Sequence, residues 1–217
     1  MRKENSMEQI QQIRCGNVNC FLLTEGDTGI LVDTGRTAHR GTILAACKPY
    51  RISLIVLTHG HVDHAQNAAF LSQVLHCPVA MAEEDVDLLP ENLAQPLRSH
   101  GLFGKLLLSV SLRSMERDLI EPFTPAVFLK DGDSLQDYGL HATILSLPGH
   151  TKGSIGVDAG EAGVIVGDAL MNFLSPTVSL LYHDEQSLLR SAQRLSALGA
   201  RRVYFGHGKP ATNRPWV

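Results

Sequence analysis

No stretch of this chain approaches the roughly 20 consecutive apolar residues that span a bilayer. Its opening, MRKENSMEQIQQIRCGN, is polar where a secretion signal would carry an apolar segment. The expectation is a cytoplasmic protein without a membrane partner. Positive charge is not in excess either: Lys and Arg total 19 against 22 Asp and Glu, a formal net charge of −3 with His neutral. Without a basic stripe the footprint needed for phosphate-backbone binding is missing, and nucleic acid is not an expected partner. Cysteine is scarce. Cys15, Cys20, Cys47 and Cys77 match neither a zinc ribbon nor a CxxC redox pair, and a chain of 217 residues does not need a disulfide framework. Free thiols are expected, with Cys15 and Cys20 read as two buried small side chains rather than a pair facing each other across the Gly16-Asn17 turn. Repeats, low-complexity segments and long linkers are absent too, so residues 1–217 are read as one domain.

What is present is the composition of a folded globular protein, 44% hydrophobic and 19% charged. From Ile10 to Asp33, short β-rich runs alternate with turn residues: QQIRC, VNCFLL and ILVD, separated by GN and TEGDTG. Thr37 to Lys48 reads as a helix stopping before Pro49, and LIVLT at 54–58 reads as a strand buried on both faces. Helical spacing follows from Ala65 to Leu75, then a short strand at Val79-Ala80-Met81, then a mostly helical, leucine-rich insertion at about 83–118. The β signal returns in AVFL, LHATILSL, SIGVDA and GVIVGD, before a helix from Glu185 to Leu198 and a last strand in RRVYF. Strands followed by helices, given twice, imply two αβ halves whose sheets pack face to face with helices outside.

The strongest chemical signal is Thr58-His59-Gly60-His61-Val62-Asp63-His64, directly after the buried run LIVL. Three imidazoles and a carboxylate so close together need polar partners once buried. Metal ions supply them, and imidazole with carboxylate suits zinc, with iron and manganese as the alternatives. His150 after ILSLPG, Asp168 after GVIVG and His207 after VYFG each stand at the end of an apolar run. Singly each reads as a surface histidine or a turn aspartate; together they place polar ligands at several strand ends, which is how one sheet edge builds a shared site.

The series His59-Gly60-His61-Val62-Asp63-His64, Pro148-Gly149-His150-Thr151, Gly167-Asp168 and Phe205-Gly206-His207-Gly208 resembles the metallo-β-lactamase-fold superfamily, over about Val18 to Gly208. Leu31-Val32-Asp33-Thr34-Gly35 is similar to that family's early turn behind the ligands. The resemblance implies an α+β fold, a four-layer αβ/βα sandwich of two packed mixed sheets. It also implies two divalent metal ions, one held by His59, His61 and His150, the other by Asp63, His64 and His207, with Asp168 between them. Two such ions about 3.5–4 Å apart can share a hydroxide at neutral pH, so the implied activity is cleavage of an ester, thioester or lactone of a small molecule. Asp63, beside that hydroxide, is the candidate catalytic residue for orienting it and moving its proton. An aspartate rather than a cysteine at position 168 is similar to the glyoxalase II-like members. A mononuclear-iron persulfide dioxygenase-like oxygenase and a non-catalytic metal-binding member are the alternatives.

Asp33 is read either as a hydrogen-bond support for the ligand loop or as an ordinary turn residue. His39, His76, His100 and His141 have no companions at ligand spacing, whereas His183 beside Tyr182, with the stretch MNFLSPTVSLLYH, is a candidate substrate wall. The run from His100 to Val110 is too apolar for a solvated loop. Phe103, Leu106 and Leu107 are expected to shape an apolar acyl pocket at the metal site, and the 91–118 segment is the candidate surface for a homodimer.

Overall fold

A computed structural model describes residues 8–217. Its strands are β1 Gln9–Cys15, β2 Val18–Glu25, β3 Thr28–Val32, β4 Arg51–Val56, β5 Val79–Met81, β6 Arg98–Ser99, β7 Val127–Phe128, β8 Thr143–Ser146, β9 Ile155–Asp158, β10 Val164–Ile165, β11 Leu170–Met171, β12 Thr177–Val178, β13 Leu181–Tyr182, β14 Arg202–Tyr204 and β15 Ala211–Thr212. The α-helices are α1 Arg40–Cys47, α2 Val62–Ala65, α3 Ala68–Leu75, α4 Gly101–Arg117 and α5 Glu185–Ser196. Six strands form one sheet in the order β1-β2-β3-β4-β5-β7, and five form another in the order β15-β14-β10-β9-β8. Both are mixed. In the first, β1, β2 and β3 are antiparallel neighbours while β3, β4, β5 and β7 run parallel; in the second, β10 and β14 are the parallel pair.

Three apolar layers show why these sheets stack. Side chains alternate across a strand, so Leu22, Leu31 and Ile55 point to one face of the first sheet and meet Ile43 of α1, Ala65 of α2 and Leu71 of α3. Leu23, Ile30, Val32, Leu54 and Val56 point to the other face and meet Ile144, Val157 and Ile165 of the second sheet. That second sheet turns Leu145, Val164 and Val203 outward onto Ala192 and Leu195 of α5. The sequence of α5 accounts for its place: Leu188, Ala192 and Leu195 form one buried stripe at helical spacing, and the Asp184 carboxylate caps its first turn by accepting from the Ser187 N–H at 3.0 Å. The result is the expected four-layer sandwich of two mixed sheets with helices outside.

Two local expectations are corrected. Cys15 and Cys20 are buried and free, but they also face each other, with their sulfurs 3.7 Å apart, because Ile13 pairs with Cys20 and Cys15 lies diagonal to it on the same face of the hairpin. The 83–118 stretch is less helical than its leucines suggest. A 3₁₀ turn spans Glu83–Leu88 and α4 begins only at Gly101, since Pro90 and Pro96 interrupt the backbone hydrogen bonding between them. No helix among the described residues is long and apolar enough to cross a membrane.

Candidate metal centre

Every candidate ligand stands just beyond the C-terminal end of a strand: His59, His61, Asp63 and His64 after β4, His150 after β8, Asp168 after β10 and His207 after β14. β4 belongs to the first sheet and the other three to the second, so the seven converge where two sheet edges meet. The seam is joined through the main chain, with Ile155 N–H donating to Thr58 O at 2.8 Å. His59, His61 and His150 present ligand atoms within 4.8 Å of one another; so do Asp63, His64 and His207, and so do His59, His64 and Asp168. Asp168 lies between the sets, with carboxylate oxygens 3.6 Å from His64 Nε2, 3.7 Å from His150 Nε2 and 3.3 Å from His207 Nε2. Gly206 makes room for this: a Cβ there would stand 2.1 Å from Asp168 Oδ1.

The ring nitrogens reveal which way each imidazole faces. His150 Nδ1 lies 2.9 Å from Leu181 O and His207 Nδ1 lies 2.6 Å from Asn17 O. A carbonyl only accepts, so Nδ1 carries the proton in both rings and Nε2 keeps a lone pair toward the centre. His64 Nδ1 meets Asp33 Oδ2 at 2.8 Å, and His59 Nδ1 meets the Thr58 hydroxyl at 3.1 Å. His61 differs, turning Nδ1 to within 3.0 Å of His150 Nε2. His59 Nε2, His61 Nε2, His64 Nε2 and Asp168 Oδ1 are buried without any hydrogen-bond partner. Each such atom costs about 1–3 kcal/mol if left bare, and a cation at the convergence point removes that cost for those aimed at it. The donor set therefore fits divalent metal ions.

Electrostatics agree with crowding of like donors. Burial, reinforced by the neighbouring imidazoles, holds His59 well below the usual histidine range, and burial with His150 beside it takes His61 down to about 3. Burial pulls the same way on His64 but is outweighed by Asp33, Asp168 and Asp63, which lift it to about 10. Burial would raise Asp168, yet His207 and His64 keep it well below the ordinary carboxylate value.

Asp33 resolves as a support rather than an ordinary turn. Its backbone takes a left-handed φ of 62°, uncommon for a non-glycine residue, and that bend aims a fully buried carboxylate at the ligand loop. Besides His64, it accepts from Thr58 N–H at 2.8 Å and from the Thr58 hydroxyl at 2.9 Å.

A second supporting carboxylate, Asp85, went unrecognised in the sequence. It is wholly buried and accepts from Gly60 N–H at 3.1 Å, the Thr151 hydroxyl at 2.6 Å, Gly153 N–H at 2.7 Å and Gln95 Nε2 at 3.1 Å. It thus ties the loop of His59 and His61 to the loop of His150. Burial raises its pKa despite these donors. Nothing in EEDVDLL separates it from its acidic neighbours, and its partners are distant in the chain.

The centre opens into a cleft of about 420 Å³ that His61, Asp63, His150, Asp168 and His207 help to line. Its walls include Leu107 and Val110 of α4 and Met171, Phe173 and Leu181 of the stretch after Asp168; the Phe173 ring stacks on His207 with centroids 5.0 Å apart. Met171, Phe173 and Leu181 of the candidate wall thus line the cleft, but His183 does not, since its Nδ1 is turned to Pro96 O at 3.1 Å. Of the three expected pocket residues only Leu107 lines the cleft. Leu106 is rotated about 100° away along the helix and is 61% exposed, and Phe103 lies one turn beyond the lined stretch.

Two mixed sheets with helices outside and a histidine–aspartate cluster at their joined edge define a metal-binding αββα protein. The metallo-beta-lactamase superfamily model matches residues 13–207, and the chain belongs to that superfamily. It is similar to the hydroxyacylglutathione hydrolase GloC of Haemophilus influenzae, 29% identical over 155 residues, 70% of this chain and 66% of that protein. Among solved structures, the BLEG-1 B3 metallo-beta-lactamase superposes with a TM-score of 0.75 at 21% identity, covering 94% of each chain. TTHA1623, solved in a di-iron-bound form, superposes with a TM-score of 0.67 at 25% identity, covering 92% of this chain and 95% of that one.

Proposed function

We propose that this protein is a binuclear metallo-hydrolase that cleaves an ester, thioester or lactone of a small molecule. The observation that carries the reading is the convergence of seven ligand-type side chains, four of whose buried polar atoms have no partner within the protein. The GloC relative supports acyl-transfer chemistry, and the TTHA1623 neighbour supports a place for two ions. His59, His61 and His150 would hold one ion and Asp63, His64 and His207 the other, with Asp168 between them; zinc is the first choice, with iron or manganese as alternatives. Bound there, such ions supply an activated water and polarise the carbonyl under attack.

The protein's own groups do the rest. Asp63 faces the cleft with Oδ2 3.5 Å from His207 Nε2 and 4.0 Å from His64 Nε2; from that position its carboxylate orients the attacking water and carries the proton to the leaving group. Asp33 keeps the His64 imidazole from rotating, and Asp85 fixes the backbone between His59 and His61 against the loop of His150. Phe173 and Leu107 exclude water from the side where an acyl chain would lie.

Elemental analysis of metal-replete protein, combined with a panel of esters, thioesters and lactones, tests the reading. About two ions per chain and oxygen-independent release of acid are expected. A single iron with oxygen consumption, or metal-saturated protein that never exceeds one ion per chain, overturns it.

A further inference from the structure

The wall that α4 gives the cleft changes character along its length. At about 100° per residue, Leu107, Val110, Ser111 and Ser114 share one face, and all four line the cleft. Arg113 and Arg117 follow on the flank next to Val110, toward the C-terminal end of the helix, and Arg36 joins them from the loop after β3. Over roughly 15 Å of helix axis the wall therefore passes from aliphatic to cationic.

Two of these three guanidiniums, those of Arg36 and Arg117, share one carboxylate. Arg117 binds Asp118 through Nε at 2.8 Å and a terminal nitrogen at 3.1 Å. Arg36 also binds Asp118, and reaches Ser114 Oγ at 2.8 Å. Arg113 has no ion pair or hydrogen bond among the described residues, although it borders the same cleft. Glu116, the other acidic residue in this part of the helix, borders a separate hollow. The charged end of the cleft thus carries net positive charge and one guanidinium whose donors are all available. A guanidinium presents paired N–H groups that match the two oxygens of a carboxylate or phosphate.

Resting on the hydrolytic reading above, we propose that the substrate is amphiphilic. It carries a carboxylate or phosphate that Arg113 binds, with its apolar portion against Leu107, Val110 and Phe173. The anion stands away from the scissile bond, so Arg113 acts in binding and not in the chemical step.

The test uses metal-loaded protein and non-hydrolysable thioethers in three forms: with a terminal carboxylate, with a terminal phosphate, and as the neutral methyl ester of the first. Calorimetry on the wild type is expected to show at least one anionic form binding about tenfold or more tightly than the neutral one, the yield of a charge-assisted hydrogen bond. Which anion binds more tightly identifies the group. Arg113→Gln should abolish the advantage and leave neutral binding unchanged, while Arg14→Gln, at a separate surface groove, should change neither. No discrimination by the wild type overturns the proposal. So does discrimination that survives undiminished in Arg113→Gln, because the metal centre then accounts for it. Thioesters with and without the anion separate this proposal from the hydrolytic reading. Cleavage without charge preference sinks the subsite alone; Arg113-dependent binding without cleavage of any acyl substrate sinks hydrolysis alone.

Discussion

In the loop after β4, His64 is backed by the Asp33 carboxylate and the turn between His59 and His61 is tied down by Asp85, whereas His150 and His207 are backed by the main-chain carbonyls of Leu181 and Asn17. A carboxylate donates more electron density through the ring and can be removed by one substitution. A carbonyl belongs to every residue and stays when the side chain changes. One half of the centre is therefore supported by amino-acid identity, the other by the path of the chain.

Five substitutions press on this contrast. The largest effect is expected at Asp63, which lies in the first half but has no hydrogen bond from the surrounding loop. Asp63→Asn should retain the fold, by circular dichroism, and lose about 10²–10⁴-fold in turnover on the acyl panel; wild-type turnover by metal-loaded variant would refute its role. Asp85→Asn replaces an acceptor of four hydrogen bonds with a group that cannot accept them all. A loss of about 2–4 kcal/mol in urea unfolding is expected, and a loss under 1 kcal/mol would mean the two loops hold without it.

Asp33→Asn should weaken metal binding about 10–100-fold in a chelator competition. Leu181→Ala leaves its carbonyl in place and is expected to leave that affinity unchanged; equal losses from both would erase the distinction between the halves. The smallest expected loss belongs to a charge at the surface. Hydrogen bonding from Arg117 holds the Asp118 carboxyl at about 2 against an ordinary 3.8. A depressed carboxyl pKa gives stability that is present above the unfolded value and is lost as the pH falls through the folded one. Asp118→Asn should therefore cost less than about 1 kcal/mol at neutral pH, and the difference from wild type should shrink between about pH 4 and pH 2.

The same contrast explains what could be read from the amino-acid order. The 58–64 loop is legible because four ligand-type side chains fall within six residues, and His150, Asp168 and His207 become legible only as a series. The continuous apolar runs in β2, β3 and β4 and the stripe in α5 expose the layers. Two-residue strands such as β11, β12 and β13 carry no periodicity to detect. Asp85 escaped because its meaning lies in Thr151, Gly153 and Gln95, which only the fold brings to it. Leu106 is as apolar as Leu107, and only the phase of α4 separates the exposed side chain from the one in the cleft.

The clamp between the first hairpin and the last ligand loop sets an order in time. Asn17 O positions His207, Asn19 Nδ2 donates to Phe205 O at 2.9 Å and to Gly208 O at 2.8 Å, and Asn19 N–H donates to Gly206 O at 2.8 Å. These contacts join segments about 190 residues apart, so a ribosome delivers the hairpin long before its partner exists. His59, His61 and His150 can gather while the chain is still growing, but the remaining set waits for His207 to emerge and dock. Closing so long a loop is slow compared with local pairing, so the cluster is complete only once His207 has returned to the first hairpin.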